Sequence, residues 1–64
     1  MKRRDLVSHL LANGCVLVRE GSKHSLWANP AKNLATAIPR HGEIDNNTAK
    51  GICRQLDVPP PTKK

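Results

Sequence analysis

Two stretches of helical spacing, one toward each end of the chain, bracket everything else. Leu6, Leu10 and Leu11, with Val7 widening the stripe, recur at the helical period and predict a helix over residues 3–13. Ala49, Ile52, Cys53 and Leu56 repeat at i, i+3, i+4 and i+7 and predict a second helix from about residue 46 to residue 56. Each helix has one apolar stripe, and each stripe must be buried against something. The segments between them are short and β-rich: Cys-Val-Leu-Val-Arg-Glu over 15–20, His-Ser-Leu-Trp-Ala-Asn over 24–29 and Leu-Ala-Thr-Ala-Ile over 34–38. One small sheet covered on one face by both helices satisfies both stripes at once.

The punctuation agrees with this order. Asn13-Gly14 is a helix stop, with Gly14 suited to the left-handed position after a helix. Gly21-Ser22-Lys23 is a turn joining the first two strands into a hairpin. Asn29 to Asn33 is a loop by composition, and Pro39 to Asp45 is a polar, irregular connection. Asp45 is the expected N-cap of the second helix, and Ile44 is placed to staple onto Ala49. Gly51, on the outer face of that helix, costs about 1 kcal/mol relative to Ala. The class is therefore α+β, with the order α-β-β-β-α. The expected architecture is a three-stranded antiparallel meander with two helices on one face and the other face open. It is like that of double-stranded-RNA-binding domains.

Sixty-four residues make one domain, expected over 1–58, followed by a Pro/Lys tail over 59–64 that is expected to be flexible. The chain is too short for a dinucleotide fold of several βαβ units, or for a catalytic cavity walled by subdomains. It has no apolar run of membrane-spanning length, and no signal-type apolar segment follows Lys2-Arg3-Arg4. A soluble, cytoplasmic protein is the expectation. Eleven Lys and Arg stand against five Asp and Glu, a net charge of +6. So strong a field on so small a surface favours a polyanionic partner: RNA, DNA or an acidic protein. Trp27 is the only aromatic residue, which argues against binding by stacking successive bases on several rings. Cys15 and Cys53 both fall in apolar patterns and read as buried thiols; their spacing with the histidines matches no zinc pattern.

Three groups of residues carry possible chemistry. Lys2, Arg3 and Arg4 crowd the positive end of the first helix dipole, an arrangement that suits a bound anion and equally suits a frayed, solvated start. His24 begins the second strand beside Lys23, with Arg19 on the first. An imidazole beside cations is an apt general acid or base for phosphodiester chemistry. Taken alone, His24 also reads as a surface residue bonded to a turn. Arg40 and His41, in the loop before the second helix, approach His24 if the third strand pairs beside the second. There His41 would assist as an acid or as a phosphate donor; taken alone, it reads more readily as a loop histidine capping backbone groups. His9 lies off the leucine face and reads as a surface residue. Ser22 and Ser25 flank His24 but support no Ser-His-Asp unit. Five scattered carboxylates do not suggest a two-metal site, and no cofactor is expected.

Lys-Arg-Arg-Asp-Leu at residues 2–6, Asn13-Gly14, Gly21-Ser22-Lys23-His24-Ser25 before Trp27, Pro39-Arg40-His41, Glu43-Ile44 and the helix from Thr48 to Leu56 follow one another in this order. Over residues 2 to about 58 the chain resembles the HicA (YcfA-like) toxins of bacterial type II toxin–antitoxin systems. The glycine–serine–x–histidine turn is the specific part of that likeness. The resemblance implies a double-stranded-RNA-binding-like fold, a ribosome-independent mRNA interferase activity and a HicB antitoxin that covers the active site. It also implies that the family's catalytic histidine falls on His24. Arg3 stands where the family often has a small capping residue.

The sequence is thus read as that of a metal-independent endoribonuclease with His24 as general base or acid. Lys2, Arg3, Arg4, Arg19, Lys23, Arg40 and His41 are its candidate RNA contacts. A non-catalytic RNA-binding module of the same fold, and a degenerate toxin that only binds its antitoxin, are the alternatives.

Overall fold

A computed structural model describes residues 1–61. In chain order it contains α1 (Arg3–Ala12), β1 (Val16–Glu20), β2 (His24–Asn29), β3 (Leu34–Pro39) and α2 (Asn46–Gln55). The class and element order are those expected, and each boundary lies within a residue of the one read from the sequence. Thr62, Lys63 and Lys64, the end of the expected tail, lie outside the described residues.

Both helices end in the same device. After α1, the Gly14 N–H donates to Leu11 O (3.1 Å) and the Cys15 N–H to Leu10 O (3.0 Å), with Gly14 at φ +87°. After α2, the Asp57 N–H donates to Arg54 O (3.1 Å) and the Val58 N–H to Cys53 O (2.9 Å), with Asp57 at φ +56°. This is the Schellman pattern, which satisfies carbonyls that the helix leaves open and requires one left-handed residue. Glycine meets the requirement freely at position 14, whereas Asp57 meets it against its Cβ. At the start of α2, the Asp45 carboxylate accepts the Asn47 N–H at 3.0 Å, and Ile44 and Ala49 are both buried. The expected cap is present.

The sheet has the order β1-β2-β3, antiparallel throughout. Along β2, Ser25, Trp27 and Asn29 are buried, whereas His24, Leu26 and Ala28 face the open side. Leu6 and Leu10 of α1, Ile38 of β3, and Ala49, Ile52 and Cys53 of α2 close over the buried face around Trp27, and the Asn29 amide donates to Leu56 O at 2.7 Å. Cys15 and Cys53 are both free and buried.

β1 is different. All five of its residues are exposed, including Val16, Leu17 and Val18. Among the described residues it is an edge strand, paired only with β2, and its register breaks between Leu17 and Arg19, leaving Val18 without a partner there. Such a bulge twists an edge away from the sheet.

Before α2, the chain runs back along the start of α1. Lys2 and Glu43 form an antiparallel bridge, the Ile44 N–H donates to Met1 O (2.8 Å), and the Arg3 N–H donates to Gly42 O (2.9 Å). The loop from Arg40 to Ile44 is thereby fixed between α1 and the β2–β3 ladder.

Candidate active site

The hairpin between β1 and β2 places His24. The Gly21 N–H donates to His24 O at 2.8 Å, and a Cβ on Gly21 would stand 2.7 Å from that same oxygen. Only glycine lets the two backbones come this close. His24 opens β2 directly opposite Pro39, the last residue of β3. One step further, the Arg40 N–H donates to Lys23 O at 3.2 Å. The third strand does pair beside the second, and the loop after it reaches the hairpin. Ser22, Lys23, His24, Arg40 and His41 line one open depression of about 460 Å³.

A polar network beneath the hairpin holds this arrangement. Ser25, next to His24, points to the opposite face of the sheet and is fully buried. Its hydroxyl donates to Glu20 Oε1 at 2.6 Å and accepts from the Arg3 guanidinium at 2.9 Å. Arg3 Nε also donates to Pro39 O at 2.9 Å. From the outer side, the Arg40 guanidinium lies 3.5 Å from Glu20 Oε1 and donates to Gly21 O at 2.9 Å. Four elements (α1, the end of β1, the start of β2 and the end of β3) are thus tied at one point, directly under His24.

The sequence-predicted residues therefore divide. His24, Lys23, Arg40 and His41 are brought together. Lys2 and Arg4 line a second depression, of about 600 Å³, together with Arg3, Val7, Ser8 and Gly42. Gly42 follows His41, so the loop from Arg40 to Gly42 contributes to both depressions. Arg3 contributes to this second wall, but its guanidinium is held by Ser25 and Pro39. Arg19 stands on β1 opposite Leu26 and outside the His24 depression. The start of α1 is not frayed: the Arg3 N–H goes to Gly42 O, and the Asp5 and Leu6 N–H groups go to Lys2 O. His9 bonds Pro59 O at 2.7 Å, tying α1 to the chain beyond α2. Glu20 was not a sequence candidate. Its signal was the hairpin register, which puts it opposite Ser25.

Burial pushes the Cys15 and Cys53 thiols above the usual thiol range, and the nearness of Cys15 raises Cys53 further. Among the described residues, no group of three or more His, Cys, Asp or Glu is placed to hold a metal ion.

The sequence model of one family, the HicA toxin of bacterial toxin–antitoxin systems, matches residues 3–58. The chain belongs to the HicA toxin family. As a HicA-family chain it is a toxin, and the family's members are generally mRNA-cleaving, with an antitoxin partner and an RNA target. No curated protein and no solved structure matches it. No helix among the described residues of this HicA-family chain is long and apolar enough to cross a membrane.

Proposed function

We propose that this toxin is a metal-independent endoribonuclease that cleaves mRNA in the cytoplasm, with His24 as the general base. The observation that carries the reading is the depression in which the exposed His24 imidazole stands beside Lys23 and Arg40, on a hairpin braced from below. In RNA the 2′-hydroxyl lies next to the scissile phosphate. An imidazole that takes its proton generates the attacking oxygen. The developing negative charge on the phosphoryl oxygens is then met by the ammonium of Lys23 and the guanidinium of Arg40. The products are a 2′,3′-cyclic phosphate and a 5′-hydroxyl. Lys2, Arg4 and Arg19 supply further phosphate contacts along the strand, and with a net charge of +6 affinity depends steeply on salt. A HicB-type antitoxin, acidic on its contact face, inhibits by covering the His24 depression.

The test is incubation of the purified protein with a long RNA in EDTA, beside His24→Ala. His24→Ala is expected to lower the rate by roughly 10²–10⁴, the usual worth of a positioned base, and to keep RNA binding. Equal cleavage of a 2′-deoxy substrate, or wild-type cleavage by a folded His24→Ala protein, leaves the non-catalytic RNA-binding module as the better reading.

A further inference from the structure

Cleavage through a 2′-hydroxyl needs two proton transfers. One frees the nucleophile, and the other protonates the departing 5′-oxygen, which is a poor leaving group as an alkoxide. In an in-line displacement the entering and leaving oxygens lie on opposite sides of phosphorus, so one imidazole does not reach both in a single step. Resting on the endoribonuclease reading above, we propose that His41 is the general acid of this site, protonating the 5′-oxygen while His24 takes the 2′-hydroxyl proton.

The lining of the depression narrows the choice. Of Ser22, Lys23, His24, Arg40 and His41, the two histidines carry imidazoles, the side chain most often used as general acid or base. The ammonium of Lys23 and the guanidinium of Arg40 serve as charges. His41 is an exposed loop residue whose backbone is anchored on both sides. Before it, the Arg40 N–H is bound to Lys23 O, and the Arg40 side chain is bound to Gly21 O and lies beside Glu20. After it, Gly42 O accepts the Arg3 N–H. Arg3 itself reaches Ser25 and Pro39, the neighbour and the ladder partner of His24. The two histidines are therefore held from the same frame, with no free linker between them.

The step balances. The neutral His24 imidazole takes the 2′-hydroxyl proton, and the 2′-oxygen forms its bond to phosphorus. The P–O5′ bond breaks, its electron pair goes to O5′, and O5′ takes a proton from the His41 imidazolium. His24 ends protonated and His41 neutral, and exchange with water restores both.

The test compares ordinary RNA with an RNA carrying sulfur in place of the bridging 5′-oxygen at the cleavage site. A thiolate leaves without a proton, so this substrate does not need the acid. His41→Ala and the more conservative His41→Gln are expected to lose roughly 10²–10⁴ on ordinary RNA and to recover to near the wild-type rate on the 5′-thio substrate. His24→Ala is expected to stay slow on both. His41 variants that cleave ordinary RNA at the wild-type rate overturn the assignment. So do variants equally slow on both substrates, which would make His41 a phosphate contact or a structural residue; either outcome leaves the His24 reading standing. Wild-type activity in folded His24→Ala instead defeats the underlying reading, and this proposal with it.

Discussion

Arg3→Ala tests whether the brace beneath the hairpin holds the fold or whether Arg3 is one more surface cation. The substitution removes two bonds from a charged donor, to Pro39 O and to the hydroxyl of the fully buried Ser25, each at 2.9 Å. Bonds to charged groups contribute about 1.5–3 kcal/mol each, but the site is only partly buried, and Ser25 keeps its bond to Glu20. A loss of roughly 2–3 kcal/mol is therefore expected. A chain of this size has a total stability of about 3–10 kcal/mol, so that loss is a large share of it. The melting midpoint should fall by roughly 10–20 °C. Trp27 is the chain's only tryptophan, is 5% exposed, and its indole N–H has no partner among the described residues. Its emission should shift clearly when water reaches it, which makes urea denaturation followed by fluorescence the natural assay. Arg3→Lys should not rescue, because an ammonium on a flexible stem does not reproduce the guanidinium fork. A double-mutant cycle with Ser25→Ala should show coupling of about 0.5 kcal/mol or more. A loss below about 0.5 kcal/mol with an unchanged denaturant slope would refute the brace and return Arg3 to the proposed RNA contacts beside Lys2 and Arg4.

Gly21→Ala forces a Cβ to within 2.7 Å of a backbone oxygen, His24 O, so the turn must move; a rate loss of roughly ten- to a hundredfold is expected in a cleavage assay, together with a stability loss of about 1–3 kcal/mol in the urea titration. At the two helix ends the signs should be opposite. Gly14→Ala should cost about 1–2 kcal/mol, and Asp57→Gly should gain about 0.5–1 kcal/mol in the same urea titration, less the small contribution of the exposed ion pair between Asp57 and Lys32. Cys15 and Cys53 both have folded-state pKa values above their unfolded ones, so their contribution is intact below the ordinary thiol pKa and is lost as pH rises through the folded values. The urea midpoint should fall between about pH 8 and pH 10, and Cys53→Ala should flatten that limb; a midpoint that does not move over this range contradicts the burial of the thiols.

The fold was legible because its signals are local. The leucine stripe, Asn13-Gly14, Asp45 as a cap and the i, i+3, i+4, i+7 run of α2 each speak for their own segment, and all agree. His24 stood out as a candidate because of its turn, and the structure places it in one depression with Lys23, Arg40 and His41. What was not legible depended on pairing between distant segments. Arg3 read as a charge at a helix start, and its bonds to Ser25 and Pro39 follow only once β2 and β3 are in register beside α1. Glu20 read as the end of a strand, and it becomes the junction of the network only because a tight turn sets it across from Ser25. The exposure of β1 was hidden for a similar reason. Val16, Leu17 and Val18 have the composition of a covered strand, and neither the bulge nor the edge position is written in composition.

That bare edge sets a solubility window. Copies of the chain carry six like charges each, and at low ionic strength this repulsion keeps one β1 from meeting another. In about 0.1 M salt the field still reaches roughly 10 Å, whereas in about 1 M salt it reaches only about 3 Å. The salt that strips nucleic acid from so basic a protein therefore also removes what holds its aliphatic edges apart. Preparations freed of RNA by high salt should be the ones that self-associate through Val16, Leu17 and Val18, and a polyanion returned to the solution acts against that by restoring a common charge of either sign.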